Sequence, residues 1–282
     1  MRILAIIVAY HPETELIRRN IAAFAGGVDK LLIWRNSPVD EEAIGEGYDK
    51  IEFCGDGSNA GISVALNFAW HYAEEHGYTH ILSMDQDSVW EGFDVYLAKI
   101  AADTEPRRFY APGINDQAFD GDFIFADTMI TSGMLVPLEL AQEAGGWRED
   151  FKVDGIDNDF YYRAQMLGWS PVRVGGCKLV QQFGKLIFHK FLNKRIGTQN
   201  YSPARLYTIY RNNYIVIKSY PGTEAMEKRF RHNCFRTRPI RILLAEKDKW
   251  AKFKAMYKGI RDAKRWLKEN AQSLQSSPSS SR

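Results

Sequence analysis

His80-Ile81-Leu82-Ser83-Met84-Asp85-Gln86-Asp87 is an apolar run that ends abruptly in two carboxylates two positions apart. It predicts a strand over His80–Met84 that opens directly into an acidic turn. Working upstream, Ile62–His76 spaces its apolar residues like a helix, and Ile51–Cys54, Lys30–Trp34 and Ile3–Ala9 are β-rich runs with a helical pattern over Glu13–Phe24 between the last two. A βαβα alternation of this kind predicts an α/β domain with a mostly parallel sheet covered on both faces. Such sheets take their ligands at the carboxyl ends of the strands, where the acidic turn falls. Downstream, short strands are expected near Phe109–Ala111, Asp122–Phe125 and Met134–Pro137, then helices over Leu138–Ala144, Asp157–Leu167 and Ser202–Tyr220. Pro221-Gly222 is a break, and Gln272–Arg282, with six serines, is expected to be a disordered tail.

The chain has 282 residues, 45% hydrophobic and 26% charged, which excludes disorder and fibrous architecture for the body. The apolar run Ile3–Tyr10 is far shorter than the ~20 residues of a membrane span and is followed by His11-Pro12-Glu13, so it is expected to be a buried strand rather than a leader. Cys54, Cys177 and Cys234 are odd in number and widely spaced, which points away from a disulfide framework or a zinc site and toward a reducing cytoplasm. The net charge of +2 hides an asymmetry: Lys228–Lys268 carries 15 Lys/Arg against three acids. That stretch is a separate electrostatic object.

Two carboxylates at a strand end suit Mg²⁺ or Mn²⁺ carrying a diphosphate, because such an ion keeps several waters and takes only one or two carboxylates from protein. Alone, Asp85-Gln86-Asp87 is also an ordinary acidic turn. Asn59-Ala60-Gly61-Ile62 opens a helix whose free N–H groups can meet a ligand, or simply be capped. A second acidic group, Asp154-Gly155-Ile156-Asp157-Asn158-Asp159, opens the helix that contains Arg163. Acids there also suit the helix dipole.

Taken together, these pieces resemble the inverting family-two glycosyltransferases of the GT-A fold, in their rhamnosyltransferase-like branch, over about Met1–Tyr220. The elements occur in the family's order: Ile7-Val8-Ala9-Tyr10-His11-Pro12, Asn36-Ser37, Asn59-x-Gly61, Asp85-Gln86-Asp87, Ser132-Gly133, Gly145-Gly146-Trp147, and Asp157-Asn158-Asp159 followed by Arg163. The resemblance implies a mixed, Rossmann-like nucleotide-sugar-binding sheet flanked by helices, with a C-terminal helical appendage. It implies that Ala9, Tyr10 and Asn36 line a nucleotide pocket flanked by Asn59 and Gly61, and that Asp85 faces ribose or diphosphate. Asp87 would hold Mn²⁺ or Mg²⁺, Ser132-Gly133 would lie under the donor sugar, and Asp157 would be the general base. Trp147, Asp159, Gln181 and Arg205 are the expected acceptor or diphosphate residues; Gln181 stands where relatives often carry His, and Arg35 where they carry Asp.

The expected activity is transfer of a sugar, L-rhamnose first, from a nucleotide-diphosphate donor to a saccharide or lipid-linked acceptor in bacterial cell-surface polysaccharide synthesis. An ordinary Asp pKa of ~3.9 would make Asp157 a weak base. The alternatives are a non-catalytic nucleotide-sugar-binding protein, against which the retained Asp157 argues, and a sugar nucleotidyltransferase, which wants a glycine-rich loop that Ala9-Tyr10-His11-Pro12 lacks. The expected domains are 1–220 (glycosyltransferase), 221–268 (basic helical extension) and 269–282 (tail). In the extension, Trp250, Phe253, Tyr257, Ile260 and Leu267 form an apolar stripe on a basic helix. That stripe either lies on an anionic membrane surface, placing the protein at the inner face of the plasma membrane, or docks on the acidic body. Nucleic acid is not an expected partner, since no reading helix or stacking platform accompanies the charge.

Overall fold

The computed structural model describes residues 1–181, 187–191 and 194–271. The serine-rich stretch from 272 lies outside them. Two compact units divide the chain, Met1–Lys152 with Arg163–Gln182, and Val153–Tyr162 with Phe183–Arg282.

The first unit carries β1 (Ile3–Ala9), α1 (Thr14–Phe24), β2 (Lys30–Arg35), α2 (Glu41–Gly45), β3 (Ile51–Cys54), α3 (Ile62–His76), β4 (His80–Asp85), β5 (Ser88–Glu91), α4 (Phe93–Ala102), β6 (Arg108–Ile114), β7 (Phe123–Phe125), β8 (Met134–Pro137) and α5 (Leu138–Ala144). The division between units falls inside α6 (Ile156–Met166), and β9 (Ser170–Gln181) completes the sheet. Strand order is β3-β2-β1-β4-β8-β6-β9-β5, with β7 also paired to β9. All of β1 except Val8 is buried, as a central strand covered on both faces must be. The expected parallel order holds among β1 to β4, where α1 and α3 supply crossovers. Beyond them the sheet is mixed: β8 is antiparallel to β4 and β6, and β9 is antiparallel to β5 and β7 but parallel to β6. No α-helix lies between β6 and β8, so nothing forces a parallel return there.

One constraint shapes the site. Only Gln86-Asp87 separates β4 from β5 in the chain, yet β8, β6 and β9 lie between them in the sheet. The twelve-residue β9 closes that gap by bending. It pairs in parallel with β6 up to Val174 and again from Lys178, skipping Gly175-Gly176-Cys177 at a bulge. Gly176 has φ +74°, and a Cβ on Gly175 would sit 2.4 Å from the Gly121 carbonyl oxygen, so neither tolerates a side chain without rearrangement. Past the bulge, β9 runs antiparallel to β5 and sets Gln181 opposite Ser88.

The second unit holds the antiparallel hairpin β10 (Ile187–Phe191) and β11 (Lys194–Thr198), then α7 (Pro203–Ser219), α8 (Glu224–His232), α9 (Arg238–Ala245) and α10 (Lys249–Glu269). A π-helical turn, Asn233–Thr237, joins α8 to α9. The Ser202 hydroxyl caps α7 by accepting from the Arg205 N–H, with Pro203 in the first turn.

The basic helix α10 packs along α7 on a face turned away from the centre of the stripe expected from its sequence, with Phe253, Ile260 and Leu267 of that stripe half-buried at the flank. Its buried positions are Lys252, Met256, Gly259 and Ala263, while Trp250 and Tyr257 are 88% and 71% exposed. The reason is backbone proximity: a Cβ on Gly259 would lie 2.7 Å from the Tyr207 carbonyl oxygen and 3.1 Å from the Arg211 nitrogen. The helices meet where the side chain is absent. Lys252 is tolerated inside because its Nζ donates to Glu246 Oε2 and Asn200 Oδ1, both at 2.7 Å. Gly259→Val is therefore expected to cost about 1–3 kcal/mol by overpacking, read as a lowered urea midpoint. Trp250→Ala should stay within about 0.5 kcal/mol; the reverse order would restore the stripe as the packed face.

Candidate functional site

In the first unit the structure gathers the predicted acidic turn, the end of β1 and the end of β9. The strand runs one residue further than expected, so Asp85 is the last residue of β4. Its backbone is clamped on both sides: its N–H donates to the Ser132 hydroxyl at 3.0 Å, and its carbonyl accepts from Asn20 Nδ2 at 2.7 Å. Ser132 in turn donates to Ser88. Both serines are buried, which gives Ser132-Gly133 the task of supporting the turn from beneath.

Three side-chain amides finish the arrangement. Gln86 accepts from the Tyr10 N–H at 2.7 Å and donates to the Tyr10 carbonyl at 3.0 Å, tying the acidic turn to the end of β1. Asn115 holds the Gln181 backbone the same way, at 3.0 Å in each direction. Gln181 then donates from Nε2 to Asp85 Oδ2 at 2.6 Å. Gln86 and Asn115 were missed as site residues, because an amide gives no periodicity and their partners lie 76 and 66 residues away.

The donor set fits a hard divalent cation. Asp87 is half-buried, burial raises its carboxyl above the usual carboxylate range, and its side chain has no partner beyond its own backbone among the described residues. Gln181 Oε1 is buried and has no partner among the described residues, an oxygen left over once Nε2 has bonded Asp85. Two carboxylates and an amide oxygen are ligands that Mg²⁺ or Mn²⁺ accepts while keeping water and phosphate oxygens in its remaining positions. Among the described residues no group of three or more His, Cys, Asp and Glu side chains converges.

The remaining first-unit predictions divide. Ala9 is buried and Tyr10 is about half exposed at the end of β1. Asn36 points inward: its Oδ1 accepts from the Ala60 and Gly61 N–H groups at 2.8 and 3.3 Å, and its Nδ2 donates to Asn59 at 3.2 Å. It shapes the Asn59–Gly61 loop. Arg35 is held by Glu41 and by the Gly55 carbonyl. The Trp147 backbone is bracketed by Asn67, at 2.7 and 2.8 Å, and its ring is buried.

Asp157, Asp159 and Arg205 belong to the second unit. Asp157 stands in the first turn of α6, where desolvation, with the Asp154 charge adding to it, pushes its carboxyl up to about 6. Burial thus corrects the solvent value of ~3.9 used above, and Asp157 is a better base than its residue type implies. Asp159 is fully buried and accepts from the Tyr220 hydroxyl at 2.7 Å. Arg205 pairs with Asp154 at 3.3 Å and covers the Tyr201 ring.

The loop that presents Asp157 is anchored on α7. Buried Asn212 donates from Nδ2 to the Val153 and Asp154 carbonyls at 3.0 and 2.9 Å, and Thr208 donates to the Asp154 carboxylate at 3.3 Å. Asp154 needs that support, since it holds φ +60°.

Solved structures share this architecture. The chain matches GalNAc-T7, crystallised with UDP, GalNAc and Mn²⁺, at 12% identity and TM-score 0.61 over 98% of its own length. It matches residues 1–349 of S. aureus TarS, in complex with UDP-GlcNAc, at 15% identity and TM-score 0.61 over 97% of its length and 84% of that chain. The fold is GT-A. The GT-A chain described here spans 57% of the GalNAc-T7 chain. No protein-family model and no curated protein matches the sequence.

Asn212→Ala strips the donor from two carbonyls and is expected to cost about 1–3 kcal/mol, measured by urea unfolding. Unchanged stability would mean that the loop before α6 does not depend on α7.

Proposed function

We propose that the chain is an inverting glycosyltransferase that moves a sugar from a nucleoside-diphosphate donor to a hydroxyl of a saccharide or lipid-linked acceptor. The observation that carries it is the Asp85-Gln86-Asp87 turn at the carboxyl end of β4 in a GT-A sheet, with Gln181 bonded to Asp85. UDP-sugar or UDP is named in the neighbouring structures, and the sequence resemblance favours L-rhamnose on deoxythymidine diphosphate.

Asp87 and Gln181 Oε1, with Asp85 beside them, would hold Mn²⁺ or Mg²⁺, which supplies positive charge against the diphosphate as its bond to the sugar lengthens. Asp85 is kept in place by Gln181, Asn20 and Ser132, and the Gln86 clamp holds Tyr10 on the nucleoside side. Asp157 removes the proton from the acceptor hydroxyl as that oxygen bonds to the anomeric carbon. The electron pair of the broken C–O bond leaves on the diphosphate, from the face opposite attack, and the configuration inverts. Desolvation raises the proton affinity of Asp157 and makes that transfer less uphill.

A panel of deoxythymidine-diphosphate-rhamnose and UDP-hexoses, assayed for nucleoside diphosphate release with Mn²⁺, tests the reading; no release from any donor would defeat it. Asp157→Asn should lower turnover by ~10² to 10⁴ with donor binding nearly intact. Because only the deprotonated base works, the wild-type rate should rise with pH through about 6 and level off above it. A flat profile from pH 5 to 8 would remove Asp157 from that role. In a separate titration, Asp87→Ala should weaken nucleoside diphosphate binding in Mn²⁺ and erase most of the difference between Mn²⁺ and chelator; equal wild-type binding in chelator would refute the metal role.

A further inference from the structure

The second unit carries an apolar surface on α9 that its sequence did not advertise. Ile242 is fully buried, whereas Ile240, Leu243 and Leu244 are 55%, 55% and 40% exposed. At about 100° per residue these three fall within about 100° of arc, opposite Ile242. Phe235 in the π-helical turn, Phe188 on β10 and Trp250 at the start of α10 are exposed too, and α9 packs against both strands of the hairpin. Each large aliphatic left in water forgoes roughly 1.5–3 kcal/mol of burial, so a grouped set marks a contact surface.

We propose that this face docks on an anionic phospholipid bilayer, with α9 lying in the interface. Charge identifies the occupant. Arg236, Arg241, Lys247 and Lys249 are exposed around the apolar face, and of the acids in this stretch Glu246 is buried against Lys252, which leaves Asp248. A second copy of the chain would bring two cationic rims together, whereas a bilayer of anionic lipid complements both the rim and the aliphatic face. A recess of about 230 Å³ beside α9 adds a place for a lipid phosphate. Arg238 and Arg241 line it together with Thr198, Asn200 and Glu246, the last neutralised by Lys252, and the Thr198 hydroxyl is buried without a partner among the described residues. Among the described residues no helix is long and apolar enough to cross a membrane, so contact through these residues is peripheral. The assignment moves membrane contact from the α10 stripe to α9, and it does not depend on the sugar-transfer reading.

Sedimentation of the full chain with vesicles tests it directly, comparing phosphatidylcholine alone with phosphatidylcholine mixed with phosphatidylglycerol. Binding to the mixed vesicles should be at least about tenfold tighter and salt-sensitive. Leu243→Ser with Ile240→Ser should weaken it about tenfold while the chain stays folded with only a small drop in thermal midpoint, since more than half of each residue already faces water, and Tyr257→Ser should leave binding intact. Equal or absent binding of the wild type to the two vesicle types overturns the proposal. So does full binding by the double variant, or a concentration-dependent dimer that the double variant abolishes, which would make the face a contact between copies.

Discussion

The bend in β9 at Gly175-Gly176 is the constraint on which the acidic end of the first unit rests. A two-residue turn joins strands that are not neighbours in the sheet, and only a bulged, kinked strand can bring the sheet round to meet them. Once β9 has turned, Gln181 reaches Asp85, Asn115 locks Gln181, and the serine pair fixes the backbone from which both aspartates project. Electrostatics follows from that geometry. Both aspartates project from a braced turn, and burial there raises the carboxyl of Asp87.

The second unit solves a related problem differently. Burial raises the Asp157 carboxyl although the residue keeps some exposure, and the loop that carries it holds Asp154 at positive φ, so neither feature would persist without support. α7 supplies that support from one face through Thr208 and Asn212. Along the same helix, the backbone of Tyr207 and Arg211 receives α10 at Gly259. The C-terminal helix thus stabilises the element that holds the candidate base, which makes a basic segment outside the sheet part of the same cooperative unit.

Much of this was legible in the chain. β1, β3, β8, α3 and α5 lie on the residues expected, because a buried strand and an amphipathic helix write their burial into local periodicity. The acidic pair stood out by its place at a strand end, whereas Asp157 was singled out by the family resemblance, since acids at a helix start also suit the dipole. β5, α4 and β9 were passed over: β5 is four residues long, and the bulge of β9 breaks any alternation. The face of α10 was misassigned, since periodicity counts apolar side chains whereas the packed face was chosen by the smallest one.

By itself, then, the sequence determined the layered α/β character and the parallel run of its first four strands, which depend on spacings of a few residues, while its resemblance to a family picked out the candidate base. The tertiary structure decided which amides clamp those acids, that Asn36 turns inward, that Asp157 titrates near 6, and that α9 rather than α10 shows its aliphatic side chains to water. These outcomes depend on residues tens of positions apart meeting after the chain has closed, and on how much water the closure excludes. Neither quantity is carried by any local pattern.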